Sequence, residues 1–352
     1  MSKKRIFSLV SLLLCLSMAL FLLGGCTQQP QTTQPTTSGG AGVTTQPTTA
    51  KPKSDYPNKP IEFVVPMSAG GSHDLHARAI TAVIGKYLSK PVNVNLKPGA
   101  SGAIGTDYVA KSKADGYTLL FHGSGPGVSV PIIQDVPYTI DSFDPIWFIN
   151  ASPTVMVVHK DSPFQTMDDF IQAAIAKPNT LSYASTGAYG AGHMSMELLI
   201  DAAGGIPLIH VPFDGGGPAL TAILGQQVDI SATMTTQTRP LIESGDLRAL
   251  ALTSDVRDKG SLSDVPTLKE LGYDTSYAMG RWVVVPKGCP EDVLEILRDA
   301  FKQICEDPDF IELIEKMGEE VQSLDPDALM KWWYNEIDQQ RPTLERLKAE
   351  GN

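Results

Sequence analysis

From residue 56 onward, short apolar runs alternate with small-residue loops and with segments whose apolar positions recur at helical spacing. The apolar-rich run Ile61 to Val65 predicts a buried strand. It breaks at Pro66 into Ser68-Ala69-Gly70-Gly71-Ser72. Leu75, Ala79, Ala82, Val83 and Leu88 then fall at helical spacing, which predicts a helix from about Asp74. The same grammar repeats along the chain. Val92 to Leu96 reads as a strand, the loop Pro98 to Gly105 follows, and a helix runs to about Lys113. Tyr117 to Phe121 is a strand ending in His122-Gly123-Ser124-Gly125-Pro126-Gly127. Thr154 to His159 is a strand and Met167 to Ala176 a helix. Leu181 to Ala184 opens into the loop Ser185 to Gly192 and the helix His193 to Ala203. Leu208 to Val211, the loop Pro212 to Gly217 and a helix from Pro218 to Leu224 come next, then Val228 to Ala232 and a Thr-rich loop, Thr233 to Thr238. Repeated strand–loop–helix units predict α/β layers with mainly parallel sheets. Ligands of such sheets sit at the carboxyl ends of the strands, where these loops lie.

The loop Ser68 to Ser72 narrows the chemistry. A glycine-rich turn feeding a helix start exposes free backbone N–H groups at the positive end of a helix dipole, a site suited to an anion. The loop holds no lysine, so the donors are main-chain groups, which suit a carboxylate as well as a phosphate.

The N-terminus adds a location. Lys3, Lys4 and Arg5 precede an apolar stretch from Ile6 to Leu23, and Leu23-Gly24-Gly25-Cys26 ends it. This resembles a bacterial lipoprotein signal peptide with its lipobox. The resemblance implies cleavage of residues 1–25, a diacylglycerol on Cys26 and an extracytoplasmic, membrane-anchored protein. Residues 26–55 hold the lipidated Cys and a tract rich in Thr, Gln, Pro, Gly and Ser, which reads as a disordered tether too poor in apolar residues to fold. About 297 residues remain, enough for two domains.

The full chain carries −11. Losing the signal removes three basic residues and no acidic one, leaving 25 basic against 39 acidic, or −14. That argues against nucleic acid and against adhesion to anionic lipid. Long-range steering does not help an organic anion either, so local dipoles in a closed cleft must hold it. Of the remaining cysteines, Cys289 and Cys305 flank a predicted helix from Pro290 to Ile304, roughly 24 Å apart at about 1.5 Å per residue. A disulfide needs about 7 Å or less, so both are expected as free thiols.

Other chemistries find less support. His73, Asp74 and His76, or His193 and Glu197, could hold a metal, but no third ligand stands in a clear motif. Asp74 reads instead as capping or lining the first helix start, His193 as supporting the second loop, and Glu197 as facing solvent or pairing locally. Gly99-Ala100-Ser101-Gly102-Ala103 approximates a nucleophile elbow but ends in Ala, and His210 reads as the end of a strand rather than a base. No phosphate-binding Gly-Lys-Ser/Thr and no Gly-x-Gly-x-x-Gly occurs. Arg78 is placed to pair with Asp74 four residues earlier. Arg239 and Arg281 are the better cationic candidates for a ligand. Trp332, Trp333 and Tyr334 fall in a C-terminal helix, Asp325 to Leu347, expected to pack on the first domain.

A set of motifs spans the chain in order: Tyr56-Pro57, Lys59-Pro60-Ile61 and Val64-Val65-Pro66, Gly70-Gly71 with Asp74 and Arg78, Lys97-Pro98-Gly99-Ala100-Ser101-Gly102, and Ala114-Asp115-Gly116-Tyr117-Thr118-Leu119. Tyr183-Ala184-Ser185-Thr186-Gly187 with His193, His210-Val211-Pro212-Phe213, Gly225-Gln226-Gln227-Val228-Asp229, Gly245 to Ala251, and Val265-Pro266-Thr267-Leu268-Lys269-Glu270 follow. In order and spacing the chain resembles the substrate-binding proteins of tripartite tricarboxylate transporters (TctC, or Bug, family) over about residues 56–340. The resemblance implies a type II periplasmic-binding-protein fold: two α/β domains around a ligand cleft, joined by two crossings near Pro153 to Val158 and Met279 to Pro286. Domain 1 is then 56–154 plus 281–352 and domain 2 is 155–280.

The resemblance also implies no catalysis; no cofactor is expected, and charge and residue pattern already argue against a nucleic-acid partner and a metal. It implies capture of a small organic carboxylate (a di- or tricarboxylate, or an acidic amino acid) for membrane permease subunits, and the protein is expected as a monomer. Sensing for a receptor kinase is the alternative, and a membrane-anchored hydrolase a remoter one. The implied ligand residues are Ser68, Ala69, Gly70, Gly71, Ser72, Asp74, Gly123, Ser124, Ser185, Thr186, Gly187, Tyr189, His193, Phe213 and Thr235, with the carboxylate held between the two loops. The chain departs from the family pattern Pro-aromatic-x-Pro-Gly-Gly: Met67 takes the aromatic position, Ala69 the second proline, and His73 stands where a small polar residue is usual. Family preferences for a given acid therefore do not transfer.

Overall fold

The computed structural model describes residues 55–213 and 215–351. The signal segment, Cys26 and nearly all of the tract that follows lie outside the described residues. The first strands are β1 (Ile61–Val65), β2 (Val92–Leu96) and β3 (Thr118–Gly123), with β1 parallel to both others. Helices α1 (Ser72–Val83) and α2 (Ala103–Ala110) connect them, and the four-residue α3 (Val130–Ile133) follows β3. Strand β1 is buried at four of its five positions, as a strand covered on both faces must be.

A long strand, β4 (Phe143–His159), leaves this lobe for the second. There the chain forms α4 (Met167–Ala176), β5 (Ser182–Ser185), α5 (Ala191–Ala202), β6 (Ile209–Pro212), α6 (Gly216–Leu224), β7 (Ile230–Met234), α7 (Thr235–Glu243) and β8 (Leu247–Leu252). It returns along β9 (Ala278–Pro286) and closes with α8 (Glu291–Glu306), α9 (Pro308–Lys316) and α10 (Pro326–Glu350). Local chemistry fixes the helix starts. Thr166 and Asp169 form a reciprocal capping box before α4, and the side chains of Asp307 and Asp325 accept N–H groups at the starts of α9 and α10.

The strands run in the order β2-β1-β3-β9-β4-β7-β5-β6, with β8 also on β4. The first part of β4, Phe143 to Pro153, pairs with β9; from Thr154 on, the strand pairs with β7 and β8. One strand thus belongs to both half-sheets. Two apolar clusters cover the faces of the first half-sheet, around Phe63, Phe121 and Phe301 and around Phe148, Trp282 and Trp333. Two more cover the second, around Phe170 and Tyr183 and around Ile223 and Leu252. A fifth, with Met194, Met234, Tyr277, Met279, Leu344 and Leu347, joins the lobes.

Several expectations need correcting. The sheets are evenly mixed rather than mainly parallel, because every pairing of β9 and β4 is antiparallel. The strand expected from Thr154 begins at Phe143. Pro145 and Pro153 hide it in the sequence, and β4 accommodates Pro145 at a register shift. Thr233 to Thr238 is not a loop, since α7 starts at Thr235. His210 lies inside β6 rather than ending it. Tyr334 is 48% exposed and does not pack, whereas Trp333 is buried and donates to the Gly127 carbonyl. Cys289 and Cys305 are buried free thiols, as the helix between them requires. No helix among the described residues is long and apolar enough to cross a membrane.

Candidate functional site

Between the lobes lies a cleft of about 520 Å³. The loop after β1 (66–73) and the loop before α2 (98–102) form one side. Thr186, Gly187, Ala188, Gly190 and Ala191 before α5, with Phe213 and residues 215–218 at the start of α6, form the other. Gly125, Met234, Gln237 and Met279 complete the wall. Helices α1, α5, α6 and α7 all begin at this cleft. A second cavity, about 460 Å³ between α3 and α10, touches neither predicted loop.

The first turns of α1 and α5 are open. Gly71 and Gly190 occupy the N-cap positions, and neither helix carries a side-chain cap. The N–H groups of Ser72, His73, Ala191 and Gly192 have no acceptor among the described residues. Each helix end contributes roughly half a positive charge, more effective where water is shut out. Small residues permit this. Gly192 has no room for a Cβ, which would run into the Ala232 carbonyl, so α5 sits tight against β7. Gly187 has φ +121°, a conformation that side chains rarely adopt.

Of the residues expected from the sequence, Ser68, Ala69, Gly70, Gly71, Ser72, Thr186, Gly187 and Phe213 line the cleft. The others stand behind it. Asp74 is buried; its Oδ2 accepts the Gly70 N–H at 2.8 Å, its Oδ1 lies 2.9 Å from Arg78 Nε, and it thereby braces the loop. Gly123 packs against the His73 ring, and Ser124 accepts the Gly280 N–H at 2.9 Å. Ser185 binds His210 Nε2 at 2.7 Å and donates to the Gly187 carbonyl at 3.1 Å. Tyr189 donates its N–H to His193 Nδ1 at 2.9 Å, and Thr235 is buried as the first residue of α7.

That bond fixes the His193 tautomer, with the proton on Nε2 facing Glu197 Oε1 at 3.6 Å. The His193 ring stacks on His210 at 4.0 Å and 5° from parallel, and His210 stacks on Tyr183. Glu197 neither faces solvent nor pairs only locally. It is buried and also receives Tyr183 Oη at 2.7 Å and Arg346 Nη2 at 2.8 Å, the latter from α10. Burial alone would raise its pKa, but the bonds from His193, Arg346 and Tyr183 hold it at about 2. Burial, then the neighbouring His193, lowers His210 to about 3.

Neither cationic candidate reaches the cleft. Arg239 pairs with Asp258 at 2.7 Å and donates to the Gly318 carbonyl. Arg281 has no solvent exposure and pairs with Glu319 at 3.1 Å, in a buried network with Asn150, Ser152 and His76. Burial opposes ionised Glu319, yet the Arg281 charge and His76 hold its carboxyl well below the usual range. Arg281 hydrogen-bonds the cleft wall at Ser72, whose Oγ accepts from Nη2 at 2.6 Å. The hydroxyl hydrogen of Ser72 stays available to an acceptor. Burial and the Arg281 charge also keep the His73 ring neutral.

Sequence reasoning missed the loop 98–102 and the glycines 215–217 as walls. Both carry the glycine-loop-before-helix signature that revealed the other two. Ser101 has φ +53° and donates to the Ala188 carbonyl at 2.8 Å across the cleft, so its hydroxyl serves a contact between lobes rather than a base. Met67, flagged in the sequence at the aromatic position of the family loop, lines the cleft; Met234 and Met279 gave no signal, because methionines at such spacing read as core.

Residues 76–348 match the family described as tripartite tricarboxylate transporter family receptor, TctC. A protein from a Pseudomonas species, described as a UPF0065 protein in the tcbD-tcbE intergenic region, is 31% identical over 313 residues, which cover 88% of this chain and 93% of that one. The solved periplasmic binding protein BugD is 31% identical with a TM-score of 0.77, over 83% of this chain and 98% of its own. The R. palustris protein Rpa4515, solved with adipate, is 26% identical with a TM-score of 0.77, over 83% and 99%. Two α/β lobes on shared crossing strands, a cleft walled by opposed helix starts and a match over most of the length agree: the chain belongs to the TctC family of solute-binding receptors, and its fold is that of the periplasmic binding proteins.

Proposed function

We propose that this protein is an extracytoplasmic receptor, lipid-anchored through Cys26, that captures a small organic carboxylate as a monomer. It hands the acid to the permease subunits of a tripartite tricarboxylate-type transporter and catalyses no reaction. One observation carries the reading: the uncapped first turns of α1 and α5, one from each lobe, open into the same cleft. A carboxylate there accepts main-chain N–H groups from both sides, with the Ser72, Ser68 and Thr186 hydroxyls within the same wall. Because such an anion touches both lobes, it favours their closed arrangement by its difference in affinity for the two states. In this reading residues 56–154 with 281–352 move against 155–280, and β4 and β9 bend. The adipate-bound relative and the family's name make di- and tricarboxylates the first acids to test, with acidic amino acids beside them as small acids of the same charge type.

The test is native mass spectrometry of the purified protein, then release and identification of any bound small acid, with calorimetry on an acid panel. The expected result is one acid per chain. A protein that arrives empty and gives no heat with any acid overturns the proposal.

A further inference from the structure

We infer that Arg346, near the end of α10, is a positioning residue for the ligand: through Glu197 and His193 it sets the loop 185–190 that leads into α5. The inference rests on the carboxylate reading above and adds to it a side chain that lies outside the cleft. Helix α10 serves both lobes. Before Pro342, Leu329 and Trp333 pack among the apolar residues around Phe148 and Trp282. Beyond it, Leu344 and Leu347 pack with Met194, Met234 and Met279 in the cluster that joins the lobes. The polar contacts divide in the same way. Thr343 Oγ1 donates to Asp201 Oδ2 at 2.9 Å. Arg346 places Nε 3.0 Å from Asp201 Oδ1 and donates Nη2 to Glu197 Oε2 at 2.8 Å. Both acids belong to α5, in the opposite lobe.

The loop before α5 needs such support. Tyr189 has φ +62°, in the left-handed region that residues with side chains rarely adopt. Its N–H donates to His193 Nδ1 at 2.9 Å. The His193 ring lies face to face with His210, whose Nε2 is 2.7 Å from the Ser185 hydroxyl. Two points of the loop thus hang on one pair of stacked rings. Nδ1 accepts only while the ring proton stays on Nε2, the side that faces Glu197 Oε1 at 3.6 Å. An ionised Glu197 favours that tautomer, and a protonated one does not.

Arg346 helps to keep Glu197 ionised. Around this carboxylate stand His193 on its own helix, Tyr183 from β5 with His210 stacked on it, and Arg346 from α10, which also holds Asp201. Of these partners only Arg346 is permanently positive. Burial pushes the Glu197 carboxyl up, and the bonds from His193, Arg346 and Tyr183 outweigh it and hold it at about 2. Without the guanidinium the buried carboxylate would face an imidazole and a phenol, and its hold on a proton would strengthen.

The experiment joins calorimetry on the full-length protein in detergent, with succinate, adipate and glutamate as probes, to nitrogen NMR of the His193 ring, assigned by its loss in His193→Gln. Arg346→Met is expected to weaken the best-bound acid about tenfold or more, with a loss relative to wild type that deepens from pH 8 to pH 6. It should also populate a His193 ring protonated on Nδ1, where the wild type shows Nε2 alone. Arg346→Lys, which keeps the charge, should restore most of the affinity. Glu197→Leu should reproduce the loss and add nothing to Arg346→Met, because the two act in series. Full affinity with an unchanged tautomer in Arg346→Met overturns the inference, as does a double variant whose loss is the product of the two single losses. Should Arg346→Met not fold, Glu197→Leu decides by the same two readouts. A wild type silent towards all three acids counts against the carboxylate reading, and the His193 tautomer in the variants then still decides whether Arg346 sets this loop.

Discussion

Arg281 Nη2 donates to Ser72 Oγ at 2.6 Å, so a guanidinium with no solvent exposure holds the first residue of α1. The same guanidinium lies 3.1 Å from Glu319. Cutting one partner of such a pair leaves a bare buried charge, which costs about 3–5 kcal/mol. Arg281→Met is expected to lose that much in urea unfolding, and the double variant Arg281→Met with Glu319→Met to regain most of it. Ser72→Ala is expected to cost about 1–3 kcal/mol and to weaken acid binding without unfolding the protein. A double variant no more stable than the single would show that the pair's charge balance is not what matters.

Acid should loosen the fold well above the range of its carboxylates. Burial lowers His122 to about 3, and burial with His193 lowers His210 to about 3. Unfolded, both titrate near 6.5. The unfolded chain therefore takes up protons first as pH falls. This stability is complete above about 6.5 and is lost progressively as pH falls towards 3. Glu197, held at about 2, adds a further loss only below about 4.5. Denaturation at pH 7.5 and 5.5 is expected to differ by on the order of 2 kcal/mol, with His210, nearer solvent, giving the smaller share. His210→Gln should flatten the slope; a wild-type curve that is flat over this range would contradict the buried neutral rings.

Gly192→Ala drives a methyl into the Ala232 carbonyl, where backbone meets backbone and neither yields cheaply. The expected cost is about 2–4 kcal/mol, together with lost binding as α5 is pushed back. Gly187→Ala has room, since its Cβ would lie 3.7 Å from the Phe213 carbonyl, but its φ of +121° strains any side chain. It is expected to cost about 1–2 kcal/mol and to weaken binding in a folded protein. Thermal melts with and without ligand separate the two.

Ser101→Ala removes a hydrogen bond that spans the cleft to Ala188. Stability of the ligand-free protein should move by no more than about 1 kcal/mol, and the ligand should leave several-fold faster. Stopped-flow dissociation measures this directly, and an unchanged off-rate would make the contact incidental.

The elements that set the site were legible where local chemistry alone decides them. Ile61 to Val65, the Gly70-Gly71 loop and the start of α1 follow from an apolar run, a glycine pair and helical spacing within some twenty residues. What stayed hidden depends on partners far along the chain. The first half of β4 is a strand because β9 pairs with it, despite Pro145 and Pro153. Glu197 looks like a surface residue until Arg346 arrives from α10, 149 positions later. Arg281 looked available to a ligand because nothing near it in sequence announces Glu319. Loops 98–102 and 215–217 are readable by the rule that finds the others, but the glycines of the first match enzyme and nucleotide motifs only poorly, and those of the second stand out only as a strand-to-helix loop.

The unbroken run of β4 from one half-sheet into the other has a mechanical consequence. A swivel on slack chain would let the halves wander to any angle at little cost. A ribbon of two antiparallel strands resists flexing and springs back, so in the proposed role the jaws would travel through a narrow, reproducible arc. A permease would then meet two distinct outlines, loaded and empty, rather than a continuum.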